Sequence, residues 1–181
     1  MSSEENKPQR FQIFRAKDAP SLVEANCMTP EPFTEVQMAG FGKLIEAGLF
    51  EGDEVKVLCN IPGFSLTNVW FKPGYPLPLH RHDSDCLYYI VAGNVELGTE
   101  SLGPRDTFFV PANTPYTYKT GPEGVELLEF RHTTHFSFGV LAKTEAFWTR
   151  AAEQTAKHRE SWKTATRPKV NEEAVAKQPV E

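Results

Sequence analysis

Three observations predict an all-β chain. From residue 55 onward, short runs rich in β-branched and aromatic residues follow one another: VKVLCNI, SLTNVWF, CLYYIVAG, VELG, DTFFVP, YTYK and VELLEFRH. Gly, Pro, Asn and Asp separate these runs, and short strands repeating about every ten residues build a sandwich or a barrel. No strand–helix–strand alternation occurs, so a sheet of parallel crossover units is not expected.

The elements follow in order. Residues 1–10, MSSEENKPQR, are polar and read as a disordered leader without the apolar core of a secretion signal. QIFRA at 12–16 is a candidate short strand. Pro20, Pro30 and Pro32 break residues 18–32 into an irregular wrapping segment. FTEVQMAGFGKLIEAG predicts a short helix or helix–turn, weakened by Gly40 and Gly42. The strand region is then punctuated at Pro62-Gly63, Pro73-Gly74, Gly93-Asn94, Gly103-Pro104 and Pro111-Ala112-Asn113. Residues 141–162 predict a helix whose loose apolar face holds Leu141, Phe147, Trp148, Ala151, Ala152 and Thr155. Residues 164–181, with Pro168, Pro179 and alternating charges, read as a flexible tail.

Bulk properties narrow the partners. A chain of 181 residues and 20.4 kDa suits one domain, expected over residues 11–162. A net charge of -5 argues against nucleic acid and against an anionic membrane as the main partner. No stretch approaches the ~18 consecutive apolar residues of a membrane span. Cys27, Cys59 and Cys86 are odd in number and scattered, unlike a disulfide framework, so a reducing cytoplasm is the expected compartment.

The segment GYPLPLHRHDSDCLYYIVAG at 74–93 carries the chemistry. His80 and His82 sit two apart, so in a strand both imidazoles reach the same side while Arg81 points away. Two neutral imidazole nitrogens on one face can serve one metal ion. Buried histidines otherwise cost desolvation unless hydrogen bonds or coordination offset it.

At these residues the chain resembles the cupin family. That family's first motif runs from a glycine through His-x-His to a glutamate and a second glycine; here Gly74, His80, His82 and Gly93 match, and Cys86 stands where the glutamate is expected. In the second motif Arg105 takes the first glycine position, Pro111 matches, Asn113 replaces a glycine and Tyr116 replaces the histidine. The resemblance covers roughly residues 55–132 and implies a double-stranded β-helix, a jelly-roll barrel, with an irregular N-terminal segment and a C-terminal helix. It also implies a divalent metal, with Fe(II) first and Ni, Mn or Zn as alternatives, and a homodimer.

Two of the family's four ligand positions are substituted, so other residues are candidates. Asp85 is the candidate third ligand, provided that a bulge turns it inward. Tyr116 is a candidate phenolate or hydrogen-bond donor. Glu126 and His132 share parity along VELLEFRH and are candidate proton-transfer groups, with Glu129 on the opposite side. Some thiol dioxygenases of the family carry cysteine at the Cys86 position, which implies a pairing with Tyr116 or Tyr118. The plainer reading of Cys86 is a small apolar wall residue.

Abundant strand aromatics, among them Tyr88, Phe108 and Tyr118, favour a small aromatic or diketone-like organic substrate. The resemblance makes a non-heme iron dioxygenase the leading expectation. A redox-neutral lyase, isomerase or cyclase, and a ligand-binding protein without turnover, are the alternatives.

Overall fold

A computed structural model of the chain describes residues 10–170. Most of the expected leader and the end of the expected tail lie outside the described residues. The strands are β1 (Met28–Pro30), β2 (Asp53–Ile61), β3 (Phe64–Phe71), β4 (His80–Arg81), β5 (Cys86–Leu97), β6 (Glu100–Leu102), β7 (Thr107–Val110), β8 (Lys119–Arg131) and β9 (Phe136–Val140). The helices are α1 (Leu22–Ala25), α2 (Glu35–Ala47) and α3 (Glu145–Trp162). QIFRA forms no strand; its last residue opens a single 3₁₀ turn, Ala16–Asp18.

The strands make two open sheets. The larger is antiparallel, with order β2-β3-β8-β5-β6 and with β7 also on β5. The smaller is mixed: β9 lies between β1, parallel to it, and β4, antiparallel to it. This corrects the expected jelly-roll barrel, because neither ladder closes on itself. The reason lies in two proline-rich segments. Pro73, Pro76 and Pro78 precede β4, and Pro111 and Pro115 follow β7. Proline has no N–H to donate, so both segments break off ladder formation. Among the described residues one isolated β-bridge, His80 with Tyr116, pairs them.

The core lies on one face of the large sheet. Val69 and Phe71 of β3, Tyr88 and Ile90 of β5 and Val125 and Leu127 of β8 are all buried there. The alternation along β8 places Val125, Leu127, Glu129 and Arg131 on that inner side.

Two helices pack beside the sheets. α2 opens with a capping box between Thr34 and Gln37 and stops at Gly48, whose φ of 100° suits glycine. The two glycines that weakened this helix in the sequence separate here. A Cβ on Gly40 would lie 2.2 Å from Cγ of Trp148 in α3, whereas one on Gly42 would meet nothing within 4 Å. Gly40 thus gives up helix propensity so that the α3 tryptophan can seat against the α2 backbone.

The far end of α3 holds the proline approach to His80. Trp162 Nε1 donates to the Pro73 carbonyl at 2.8 Å, and Gln154 donates to the Gly74 carbonyl at 2.6 Å. Lys72 Nζ donates to the carbonyls of Glu51 and Trp162, each at 2.8 Å. Residues 164–170, assigned above to a tail, carry a docked side chain. Arg167 binds Glu54 and Glu126 and lies over the Trp70 ring. Among the described residues no helix is long and apolar enough to cross a membrane.

Urea denaturation of two variants tests the helix contact. Gly40→Ala loses on the order of 1–3 kcal/mol from overpacking against Trp148. Gly42→Ala gains up to about 1 kcal/mol from helix propensity alone. Equal shifts in the two variants would remove the steric role of Gly40.

Candidate active site

His80 and His82 lie on and just after β4, are 3 % and 8 % exposed, and have ring centroids 5.1 Å apart. β4 is hydrogen-bonded to β9, which supplies Phe138 against both rings and Phe136 against His82. The contact of each ring with the backbone decides its tautomer. His80 Nδ1 lies 2.8 Å from the Pro78 carbonyl, and His82 Nδ1 lies 2.7 Å from the Ser137 carbonyl. A carbonyl only accepts, so Nδ1 carries the proton in both rings. Each Nε2 is left as a bare lone pair, with no hydrogen bond from the described residues. Burial lowers His80 to about 4, with His82 adding to the effect. His82 is lowered by burial and by the charge of Arg131.

Tyr116 faces these rings. Its backbone exchanges both hydrogen bonds with His80, at 3.1 and 2.9 Å, and its ring lies 4.3 Å from the His80 ring. Its hydroxyl is hydrogen-bonded to the hydroxyl of Tyr88, which stacks on Phe108 at 4.4 Å. Burial and the charge of Glu129 push both phenols up, so both stay protonated at neutral pH. The site thus places two basic nitrogens beside a linked pair of phenolic donors.

The structure leaves three other candidates out of this cluster. Glu126 points to the opposite side of β8, where Asn68 and Arg167 hold it. His132 lies just beyond β8 and is exposed. Asp85 is not turned onto the imidazoles: its Oδ1 accepts from the Ala112 amide at 2.8 Å. The parity of β8 is the reverse of the one favoured by Glu126 and His132. Glu129 and Arg131 are the inward polar residues, joined at 2.6 Å with Arg131 2 % exposed. Neither residue stood out in the sequence, because VELLEFR carries apolar side chains at both parities. Tyr88, also missed as a site residue, shares its face of β5 with Cys86.

The donor set does not fit a resident metal. Iron, nickel, manganese or zinc requires at least a third protein donor beside two imidazoles. Cys86 Sγ turns to the Leu87 carbonyl at 3.9 Å, the Tyr116 hydroxyl is hydrogen-bonded to Tyr88, Asp85 is engaged by an amide and Glu129 by Arg131. Among the described residues no group of three or more His, Cys, Asp and Glu side chains could hold a metal ion.

Two buried groups shape the stability profile with opposite signs. The folded state holds His80 neutral, so its contribution is complete above 6.5 and is lost as pH falls toward about 4. Burial raises Asp53 from 3.8 to about 6 against the pull of Lys72, so its contribution is complete below 3.8 and is lost as pH rises toward 6. Each leg is worth roughly 3 kcal/mol at 1.36 kcal/mol per unit, and the two oppose each other through the same window. His82, lowered as well, adds to the His80 side, so thermal unfolding between pH 4 and pH 6 is expected to show stability rising with pH. Asp53→Asn steepens that rise, and His80→Gln makes it shallower. A wild-type slope unchanged in both variants would overturn this assignment.

No family model matches the chain, and no curated protein matches it. Solved structures do. The polyketide cyclase RemF from Streptomyces resistomycificus matches with a TM-score of 0.54 at 17 % identity, over 82 % of this chain and 97 % of that one. A protein with a cupin-like fold from Ralstonia eutropha matches with a TM-score of 0.48 at 14 % identity, over 84 % and 90 %. KdgF from Halomonas sp. is 26 % identical over 45 % of this chain and 81 % of its own, with a TM-score of 0.39. The chain thus shares the fold of RemF over 82 % of its length.

Proposed function

We propose that this protein is a redox-neutral enzyme of the lyase, isomerase or cyclase class, acting on a small organic compound with an apolar or aromatic body. One observation carries the reading: two imidazoles with fixed Nδ1–H tautomers face a phenol pair kept protonated. A neutral base and a neutral acid side by side are what proton transfer to and from carbon and oxygen requires. His82 Nε2 takes the proton from a carbon beside a carbonyl. Tyr116 gives its hydroxyl proton to the oxygen that becomes an enol or leaves, and is reprotonated through the Tyr88 hydroxyl hydrogen-bonded to it; the proton taken by His82 passes to solvent as solvent returns one to the phenol pair, which restores both groups. His80 holds Tyr116 in place through their paired backbone hydrogen bonds. Burial, with Glu129 adding to it, keeps the phenols protonated, and burial together with Arg131 keeps His82 neutral. The likeness to RemF concerns the fold alone; the reading stands on the protonation states of these side chains.

The test uses metal-stripped protein in deuterated water with a panel of β-hydroxy acids and 1,3-diketones. Proton NMR is expected to show deuterium entry or elimination. His82→Ala and Tyr116→Phe should each slow the reaction by about 10²–10⁴. Because His82 is lowered, the rate should persist below the ordinary histidine range. Oxygen uptake that requires added iron and is lost in His80→Ala would return the chain to oxidative chemistry. Neither exchange nor oxygen uptake would leave a binding protein without turnover.

A further inference from the structure

Inside the same core lies a set of hydrogen-bond donors that neither the fold nor the proton-transfer reading uses. Arg131 is 2 % exposed, and its guanidinium gives one nitrogen, Nη1, to Glu129 at 2.6 Å. Its other two nitrogens, Nε and Nη2, are buried with no hydrogen-bond partner. Those two atoms bound one edge of the guanidinium, the fork that grips two oxygens of a planar anion. Ser65 of β3 is the register partner of Arg131 across the β3–β8 ladder, so both side chains stand on one face. Ser65 is 3 % exposed and its Oγ is also buried without a partner. Two adjacent strands therefore present three unmatched polar atoms at one spot. Unmatched buried donors are destabilising, and a core that keeps several together has a use for them.

We infer that Arg131 and Ser65 form the receptor for a carboxylate group of the ligand. The Nε and Nη2 edge takes the two carboxylate oxygens, and the Ser65 hydroxyl donates a third hydrogen bond. The charge balance favours the smaller anion: Glu129 already matches Arg131, so a carboxylate adds one unmatched negative charge where a phosphate dianion would add two. The walls select a flat organic acid: the guanidinium lies 4.0 Å from the Phe136 ring centroid, and Phe136 also packs against His82 at 5.3 Å. The carboxylate end and the proton-transfer end thus share one aromatic wall. This inference names the substrate class for the function proposed above and rests on that reading of the site.

Binding is read without turnover, which separates the two claims. Benzoate, benzamide and inorganic phosphate are titrated into the full chain by calorimetry. Saturable binding of benzoate is expected, with no binding of the uncharged benzamide and weaker binding of phosphate. Arg131→Lys keeps the charge and loses the fork, and should weaken benzoate roughly ten- to a hundredfold. Because that variant disturbs a buried ion pair and its folding is at risk, Ser65→Ala provides the second measure, with a loss of roughly three- to tenfold. Benzoate affinity unchanged in Ser65→Ala, equal binding of benzamide, or a preference for phosphate would each overturn the carboxylate receptor. Deuterium exchange that persists without benzoate binding would sink the receptor and leave the proton-transfer reading standing. Binding without exchange would do the reverse.

Discussion

The ion pair between Arg131 and Glu129 is the constraint around which the interior is arranged. Its two side chains are 1 % and 14 % exposed, and they stand on the inner face of β8, the strand bonded to both β3 and β5. Removing one partner of such a pair leaves a bare buried charge, at a cost of about 3–5 kcal/mol. Neither charge is therefore replaceable on its own. The pair also sets the chemistry around it. Burial is the main force that raises Cys86, Tyr88 and Tyr116 and lowers His82; Glu129 adds to the rise and Arg131 to the fall, each partly offset by the other. Acids stay protonated and bases stay neutral because one strand carries both signs into a poorly solvated core.

The second dependence runs from the C-terminal helix to the histidines. β4 has only two residues, too few to hold its own position through a ladder. The proline-rich segment before it offers few amides, so side chains position it instead. Trp162, Gln154 and Lys72 grip the backbone between Glu51 and Gly74, and Tyr75 stacks on Phe71 at 4.4 Å. At the other end of α3, Trp148 rests on Gly40. The helix is thus a brace for the approach to His80, and Arg167 extends the brace beyond the helix onto Glu54 and Glu126.

Much of the site was legible from spacing. His80 and His82 had to share a face because strands alternate, and the apolar run after them required that face to be buried. The structure adds what spacing lacks. The carbonyls of Pro78 and Ser137 fix the tautomers, and Ser137 lies 55 residues from His82 in the chain. Asp85 illustrates the limit: a carboxylate near two histidines looks like a ligand until the Ala112 amide is found on it.

The sequence by itself determined the strand rhythm, the shared face of the two histidines and the helix near residues 145–162, because each depends on neighbours a few positions apart. Only the tertiary structure decided closure, parity and close approach. The sheets stay open because two proline-rich segments meet, among the described residues, at one isolated β-bridge, a pairing between residues 80 and 116. β8 turns Glu129 and Arg131 inward although its apolar residues allowed either side, because Val125 and Leu127 on the same face are fully buried against β3 and β5. Gly40 is explained by a tryptophan from another helix. In each case the deciding partner is distant in sequence, and local pattern carries no information about it.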